Sequence, residues 1–169
     1  MHTPAMKTIS FIQPESDLST VVHVLNASHG TVAKQFGFTV ETNPTNNAFI
    51  DEATLRLQLN SGIRLYGLTV DDELIGCIAV EESTKEVATY YIEKVSVLPE
   101  YRNQGYGIEL MDFATDLIRQ TGGKYVSIAL IDSHAKLKSW YLTQGFHQTG
   151  IKKYEHLPFS VCFMSKQLN

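Results

Sequence analysis

The sequence predicts an α/β chain built on one mixed sheet, mostly antiparallel with a single parallel strand pair, and flanked by helices. Three stretches predict it. Residues 65–70 and 74–80 are strand-type runs joined by Asp71-Asp72, the pattern of an antiparallel hairpin. Residues 90–97 then pass through a turn containing two glycines into an amphipathic run, which leads to a buried-type strand at 125–130. Strand, helix and strand with short links make a crossover, and a crossover implies a parallel pair in the middle of the sheet.

The elements follow in order. Residues 1–6 read as an unstructured lead with Met6 as an alternative start, and 7–12 as a first short strand. Ser16 precedes Leu18, Val22 and Leu25 at helical spacing, which predicts a capped helix, with Gly30 separating it from a second piece carrying Val32, Ala33 and Phe36. Turn formers crowd 39–47, a surface loop before a helix at 51–59 that Asn60-Ser61-Gly62 stops. Beyond the glycine turn, Leu110, Ala114, Leu117 and Ile118 share one helix face, and Gly122-Gly123 ends that helix. A short helix at 135–144, closed by Gly145, precedes two last strands at 146–152 and 160–165.

Composition narrows the function classes. A chain of 169 residues, 43% hydrophobic, suits a single domain, expected over 7–169. Its 14 Lys and Arg against 18 Asp and Glu give a net charge of −4 without any basic block, which argues against nucleic acid and is compatible with a cationic small molecule. Six histidines show no ligand pair at useful spacing, so no metal site is expected. Cys77 and Cys162 lie in apolar strand-like runs, as buried hydrophobes in a reducing setting would. With no apolar run of transmembrane length and no leader pattern, the expected location is the cytoplasm, away from membranes.

The chemistry concentrates at the glycine turn. Pro99 cannot donate to a ladder and ends the strand, and Gly105 and Gly107 let backbone N–H groups approach a ligand at the positive end of the following helix. An anion, most simply a pyrophosphate, fits there. A dinucleotide fingerprint is excluded by Leu110 where its third glycine would stand, and no phosphate-binding P-loop sequence occurs. What remains, Val95-x-Val97-x-Pro99-Glu100-Tyr101-Arg102 running into Arg102-x-x-Gly105-x-Gly107, closely resembles the acetyl-CoA signature of the GCN5-related N-acetyltransferases, the GNAT superfamily. The resemblance spans 65–166. It implies the GNAT-like acyl-CoA N-acyltransferase fold and acetyl-CoA as cosubstrate. It further implies a pantetheine arm beside Val95 and Val97, with the Val97 N–H facing the developing oxyanion. The phosphates would be held by Arg102, Asn103 and the backbone of Gln104, Gly105, Tyr106, Gly107 and Ile108.

Two further positions complete the expected site. Strict alternation puts Tyr91, Glu93, Val95 and Val97 on one face, and a carboxylate on that otherwise apolar face reads either as a paired structural group or as a general base. Partial burial raises a carboxyl's pKa toward the range a base needs, and some small-amine acetyltransferases of the family carry a glutamate at the Glu93 position. Family members also carry an asparagine seven residues before a tyrosine, with Gly-Phe four residues on. Tyr141 and Gly145-Phe146 match, and His134 stands where the asparagine would contact the cofactor. The resemblance makes the Tyr141 hydroxyl the proton donor to the departing thiolate, against a default reading as core aromatic. The expected reaction is direct acetyl transfer to a primary amine, on a small molecule, a protein N-terminus or a lysine. The alternatives are an acyl-CoA-binding sensor or an interaction domain of the same fold, and the oligomeric state stays open, a homodimer included.

Overall fold

The computed structural model describes residues 3–169 and contains one seven-stranded sheet in the order β1-β2-β3-β4-β5-β7-β6. The strands are β1 (Lys7–Phe11), β2 (Arg64–Val70), β3 (Glu73–Glu82), β4 (Thr89–Val97), β5 (Tyr125–Ile131), β6 (His147–Lys153) and β7 (Ser160–Gln167). Every neighbouring pair is antiparallel except β4 and β5. The helices are α1 (Ser19–Phe36), α2 (Glu52–Asn60), α3 (Tyr106–Gln120) and α4 (Ala135–Thr143). The mixed sheet, its parallel pair and the flanking helices are those the sequence predicts.

Two local expectations at the N-terminal end are corrected. Helix α1 runs unbroken through Gly30, because the face carrying Val21, Val24, Leu25, Ser28 and Ala33 is buried along its length. Packing of that face outweighs the roughly 1 kcal/mol a single glycine costs a helix. Ser16 does not cap α1 either: its hydroxyl donates to the Gln13 carbonyl, and Asp17 Oδ1 accepts from Ser19 N. Helix α2 lies where the sequence predicts it, and Asp51 caps it, Oδ1 accepting from Thr54 N at 2.8 Å. The first two residues of the expected lead lie outside the described residues; Met6 is tied to the end of β2, its N–H donating to Asp71 Oδ1 and its carbonyl accepting from Asp71 N.

The sheet register assigns the helices to opposite faces. Gly76 pairs with Val97, and a side chain at Gly76 would meet Leu110 of α3. Cys77 pairs with Ser96, whose hydroxyl meets His29 of α1. Neighbouring residues of a strand face opposite ways, so α3 covers the Gly76–Val97 face and α1 the Cys77–Ser96 face. Leu110, Met111, Ala114 and Ile118 of α3 are buried, which accounts for the apolar periodicity.

Candidate active site

Strand β4 does not alternate through its length. Between Cys77 and Ala79 of β3 there is one intervening residue, whereas their partners Ser96 and Glu93 have two between them. The extra residue is a β-bulge, with Lys94 at φ 56°, a left-handed conformation that lysine seldom adopts. The bulge reverses the phase of the strand. Glu93 therefore lies on the α1 face with Tyr91 and Ser96, while Val95 and Val97 lie on the α3 face. This corrects the expectation that Tyr91, Glu93, Val95 and Val97 share one face, since simple alternation has no provision for an inserted residue.

The bulged half of β4 also leaves its parallel neighbour. Hydrogen-bonded pairing of β4 with β5 covers only Thr89–Tyr91 against Tyr125–Ser127, after which the two edges face each other unpaired. A notch of backbone donors and acceptors opens there, pointing at the glycine turn. Leu98 N donates to Ile75 O of β3, so the Val97 N–H points the other way, into the notch. Its partner there is Ser28 Oγ of α1 at 3.2 Å, a contact the expected oxyanion role does not include.

At the end of the notch the chain makes a short 3-10 turn, Pro99–Tyr101, and enters the loop 102–105. Asn103 at φ 62° and Gly105 at φ 86° are both left-handed, which curls the backbone into a concavity suited to an anion. Gly105 caps α3 without any side-chain bond to the helix's first donors, and the first i→i+4 bond is Glu109 N to Gly105 O. The N–H groups of Tyr106, Gly107 and Ile108 have no partner of that kind. Glu109, a carboxylate in this positive first turn, is paired with Lys7 Nζ of β1 at 2.7 Å. The charge that would oppose an anion is thus balanced.

Arg102 and Gly107 each have a protein neighbour that the sequence did not indicate. The Arg102 guanidinium reaches α1, with Nη1 donating to Thr31 Oγ1 at 3.0 Å and Nη2 to Ser28 O at 2.8 Å. Its side chain ties the loop to α1 beside the notch. A Cβ at Gly107 would stand 3.2 Å from the Trp140 ring, which would have to give slightly.

Glu93 is the unusual titratable group. Its Oε1 is buried and accepts no hydrogen bond among the described residues. Burial first, and then the Glu81 carboxylate, push its pKa up to about 7, with Lys94 pulling the other way. Lys94 itself is buried, and its Nζ donates to Asn47 Oδ1 at 2.7 Å from the 3-10 turn Asn47–Phe49. Burial lowers its pKa. Behind them His29 Nε2 meets Ser96 Oγ at 3.0 Å, and Ser96 Oγ donates to the Lys94 carbonyl. Nε2 must then be the protonated nitrogen. Burial holds this imidazole neutral, with its pKa pulled down to about 4.

Tyr141 has its ring in the core against Trp140 and Phe146, at centroid distances of 5.1 and 5.6 Å. Burial raises its pKa, so it stays a proton donor at neutral pH. His134 is the N-cap of α4, Nδ1 accepting from Leu137 N at 3.4 Å, and its ring tilts on Phe36 of α1 at 5.4 Å. The imidazole does the capping an asparagine would do, and Nε2 remains the polar atom it could offer a ligand. Both cysteines are buried, and burial pushes the Cys77 thiol up to about 12, which disfavours a nucleophilic thiolate. Two surface cavities of about 280 and 440 Å3 lie away from this region, around Arg64 and Thr121 and around Phe11 and Thr20. No metal-ligating cluster of three His, Cys, Asp or Glu occurs among the described residues. No described helix is long and apolar enough to cross a membrane.

Periodicity overlooked Ser28, Thr31, His29, Lys94 and Glu81. The signal for Ser28 was present: it takes the next place in the series Val21, Val24, Leu25, Ser28, a polar residue in an apolar stripe.

The profile of the acetyltransferase (GNAT) family matches residues 32–146, more than half of the chain. No protein of curated function matches in sequence. Among solved structures, the ribosomal-protein-S18-alanine N-acetyltransferase from Escherichia coli is similar at a TM-score of 0.74 and 17% identity, covering 96% of this chain and 94% of that one. The PaiA N-acetyltransferase from Thermoplasma acidophilum, in complex with coenzyme A, gives 0.73 and 18%, with 96% and 99% covered. A GNAT family acetyltransferase from Elizabethkingia anophelis with acetyl-CoA bound gives 0.70 and 17%, with 96% and 98% covered.

Proposed function

This chain belongs to the GNAT family of acetyltransferases, and we propose that residues 7–169 form one catalytic domain that moves an acetyl group from acetyl-CoA to a primary amine by direct attack. Acetyl-CoA supplies the activated acetyl group. Two of the similar structures hold coenzyme A or acetyl-CoA, which supports it as the cosubstrate. The concave loop 102–105 and the open donors of α3 fit its phosphates, and the free edge of β4 at Val95 and Val97 fits an extended arm that hydrogen-bonds like a strand.

The observation that carries the reading is Glu93. An ammonium cannot attack a thioester until it loses a proton, and a carboxyl poised near pH 7 can take it. Glu93 takes the first proton from the acceptor nitrogen, and the Val97 N–H stabilises the developing negative oxygen once Ser28 releases it. The Tyr141 hydroxyl donates a proton to the departing sulfur and recovers one from the acylated nitrogen. The acceptor is a small amine or a peptide amine, a class that includes the protein N-terminus.

The test is thiol release from acetyl-CoA across a panel of polyamines, amino acids, aminoglycosides and alanine-led peptides, with mass spectrometry locating the acetyl group on nitrogen. Transfer to at least one amine is expected. Binding of acetyl-CoA with no transfer to any would make the protein a sensor, and absence of binding would make it an interaction domain.

A further inference from the structure

On the α1 face of the sheet two carboxyls stand together. The register opposes Glu93 to Ala79 and Glu81 to Tyr91, so Glu81 and Glu93 are diagonal neighbours on adjacent strands. Both side chains stand on the one face, close enough for the Glu81 charge to act on Glu93. The cation nearest in sequence does not neutralise them: the Lys94 ammonium is bonded to Asn47, and no ion pair joins it to either glutamate. The other groups facing this patch bring no second cation. From β4 come the Tyr91 hydroxyl, which meets Ser83 Oγ at 3.3 Å, and Ser96; from β3 comes the Cys77 thiol, and from α1 the His29 imidazole. Arg102 is turned toward Thr31 and Ser28.

We propose that Glu81 and Glu93 form a carboxyl pair that shares one proton in the resting protein, with Glu81 the positioning residue that receives the acceptor's ammonium and Glu93 the base. The proposal rests on the acetyltransferase reading for its second half only. A second negative charge beside a buried carboxyl disfavours its ionisation, so Glu93 holds its proton in the presence of Glu81. The buried, unpartnered Oε1 of Glu93 is the acceptor position left open for a cation's N–H. An entering ammonium supplies the missing positive charge, and the shared proton leaves to solvent. Both carboxylates are then ionised around one cation, Glu81 holding it while Glu93 takes one proton from nitrogen. The nitrogen lone pair so freed forms the new bond to the acetyl carbon. Each turnover converts an ammonium and a thioester into an amide, a thiol and one proton, and Glu93 passes that proton to solvent when the product leaves.

The test needs no acceptor. Carbon-13 NMR of protein labelled at the glutamate carboxyls follows each titration directly. In the wild type the Glu93 resonance should titrate in the neutral range. In Glu81→Gln its midpoint should fall by at least about one pH unit, as loss of a like charge beside it requires. Glu81→Ala should act in the same direction, and circular dichroism checks that both are folded. An unchanged Glu93 midpoint in both folded variants overturns the pair. With an acceptor in hand, the acidic limb of kcat/KM should move to lower pH in Glu81→Gln while KM rises. If the NMR shift occurs but Glu93→Gln transfers acetyl at the wild-type rate, the shared proton stands and the catalytic role of the pair falls.

Discussion

The two faces of β4 are held by helices of opposite character. Helix α3 meets one face through Leu110, Met111, Ala114 and Ile118, all buried and apolar. Helix α1 meets the other partly through polar atoms: Ser28 on the Val97 N–H, His29 on Ser96, and Thr31 with the Ser28 carbonyl on Arg102. An apolar interface is non-directional and tolerates almost anything of the right size and pattern. A polar interface requires each donor to find its acceptor, and at β4 it does so because the bulge at Lys94 turns Glu93 and Ser96 to the same side. Both faces bury apolar side chains, but only the α1 face adds the polar contacts and the buried carboxyl, and substitutions can test that division.

The largest stability effect is expected on the apolar side. Ile118 is fully buried, and Ile118→Ala should cost about 2–5 kcal/mol through lost burial and a cavity. Urea denaturation measures it. Acetyl-CoA affinity of the folded fraction should stay at the wild-type level, because Ile118 lies three turns beyond the glycine loop. A parallel fall in affinity would break the separation of the faces.

On the polar side the signs reverse. Glu93→Gln should lower turnover on the order of 10²-fold near neutral pH, with recovery at high pH where the amine deprotonates unaided. Stability should move the other way. The Glu93 pKa is raised in the folded chain, so its contribution to folding is fullest below the ordinary carboxylate range and is lost as pH climbs through about 7. Glutamine has no such loss, and the variant should gain on the wild type between pH 5 and pH 8. Urea midpoints at the two pH values decide it, and a constant difference would mean that Glu93 ionises as freely in the fold as outside it.

Tyr141 asks whether the apolar side also contributes to the reaction. Its ring packs on Trp140, which in turn abuts Gly107 of α3, so Tyr141→Phe preserves the packing and removes only the hydroxyl. A drop in kcat of roughly 10- to 100-fold with little change in KM is expected, since the lost bond belongs to the transition state. Wild-type kcat in the folded variant would leave Tyr141 as a core aromatic.

The same contrast explains what the sequence made legible. Strands β2 to β5, α3 and the glycine loop were readable because each has a periodic apolar face or turn chemistry of its own. Glu93 was singled out correctly as an odd carboxylate but assigned to the wrong face, since a bulge leaves no local mark in this run beyond a lysine among strand formers. Ser28, Thr31 and His29 lie some 70 residues from their partners on β4 and its following loop. Pairings at that separation are fixed by the tertiary fold. Gly107 shows the converse: a glycine at the turn was legible, but its neighbour Trp140 was not.

The smallest effect, and the one that sharpens the contrast most, is expected at Ser28. Ser28→Ala keeps the carbonyl that receives Arg102 Nη2 and loses the hydroxyl that accepts from Val97 N. In the free protein the variant leaves the Val97 N–H without its partner, a loss of about 1 kcal/mol for a net hydrogen bond. With the arm of acetyl-CoA along β4 that N–H has an acceptor in either protein, and only the wild type must first give up the Ser28 bond. What the free variant loses in stability therefore reappears as tighter binding, roughly fivefold in Kd for about 1 kcal/mol. Urea denaturation without ligand and calorimetric titration with acetyl-CoA measure the two halves. An unchanged Kd beside reduced stability would mean that acetyl-CoA leaves the Val97 N–H alone, and a weaker Kd would make the Ser28 hydroxyl a cofactor contact in its own right.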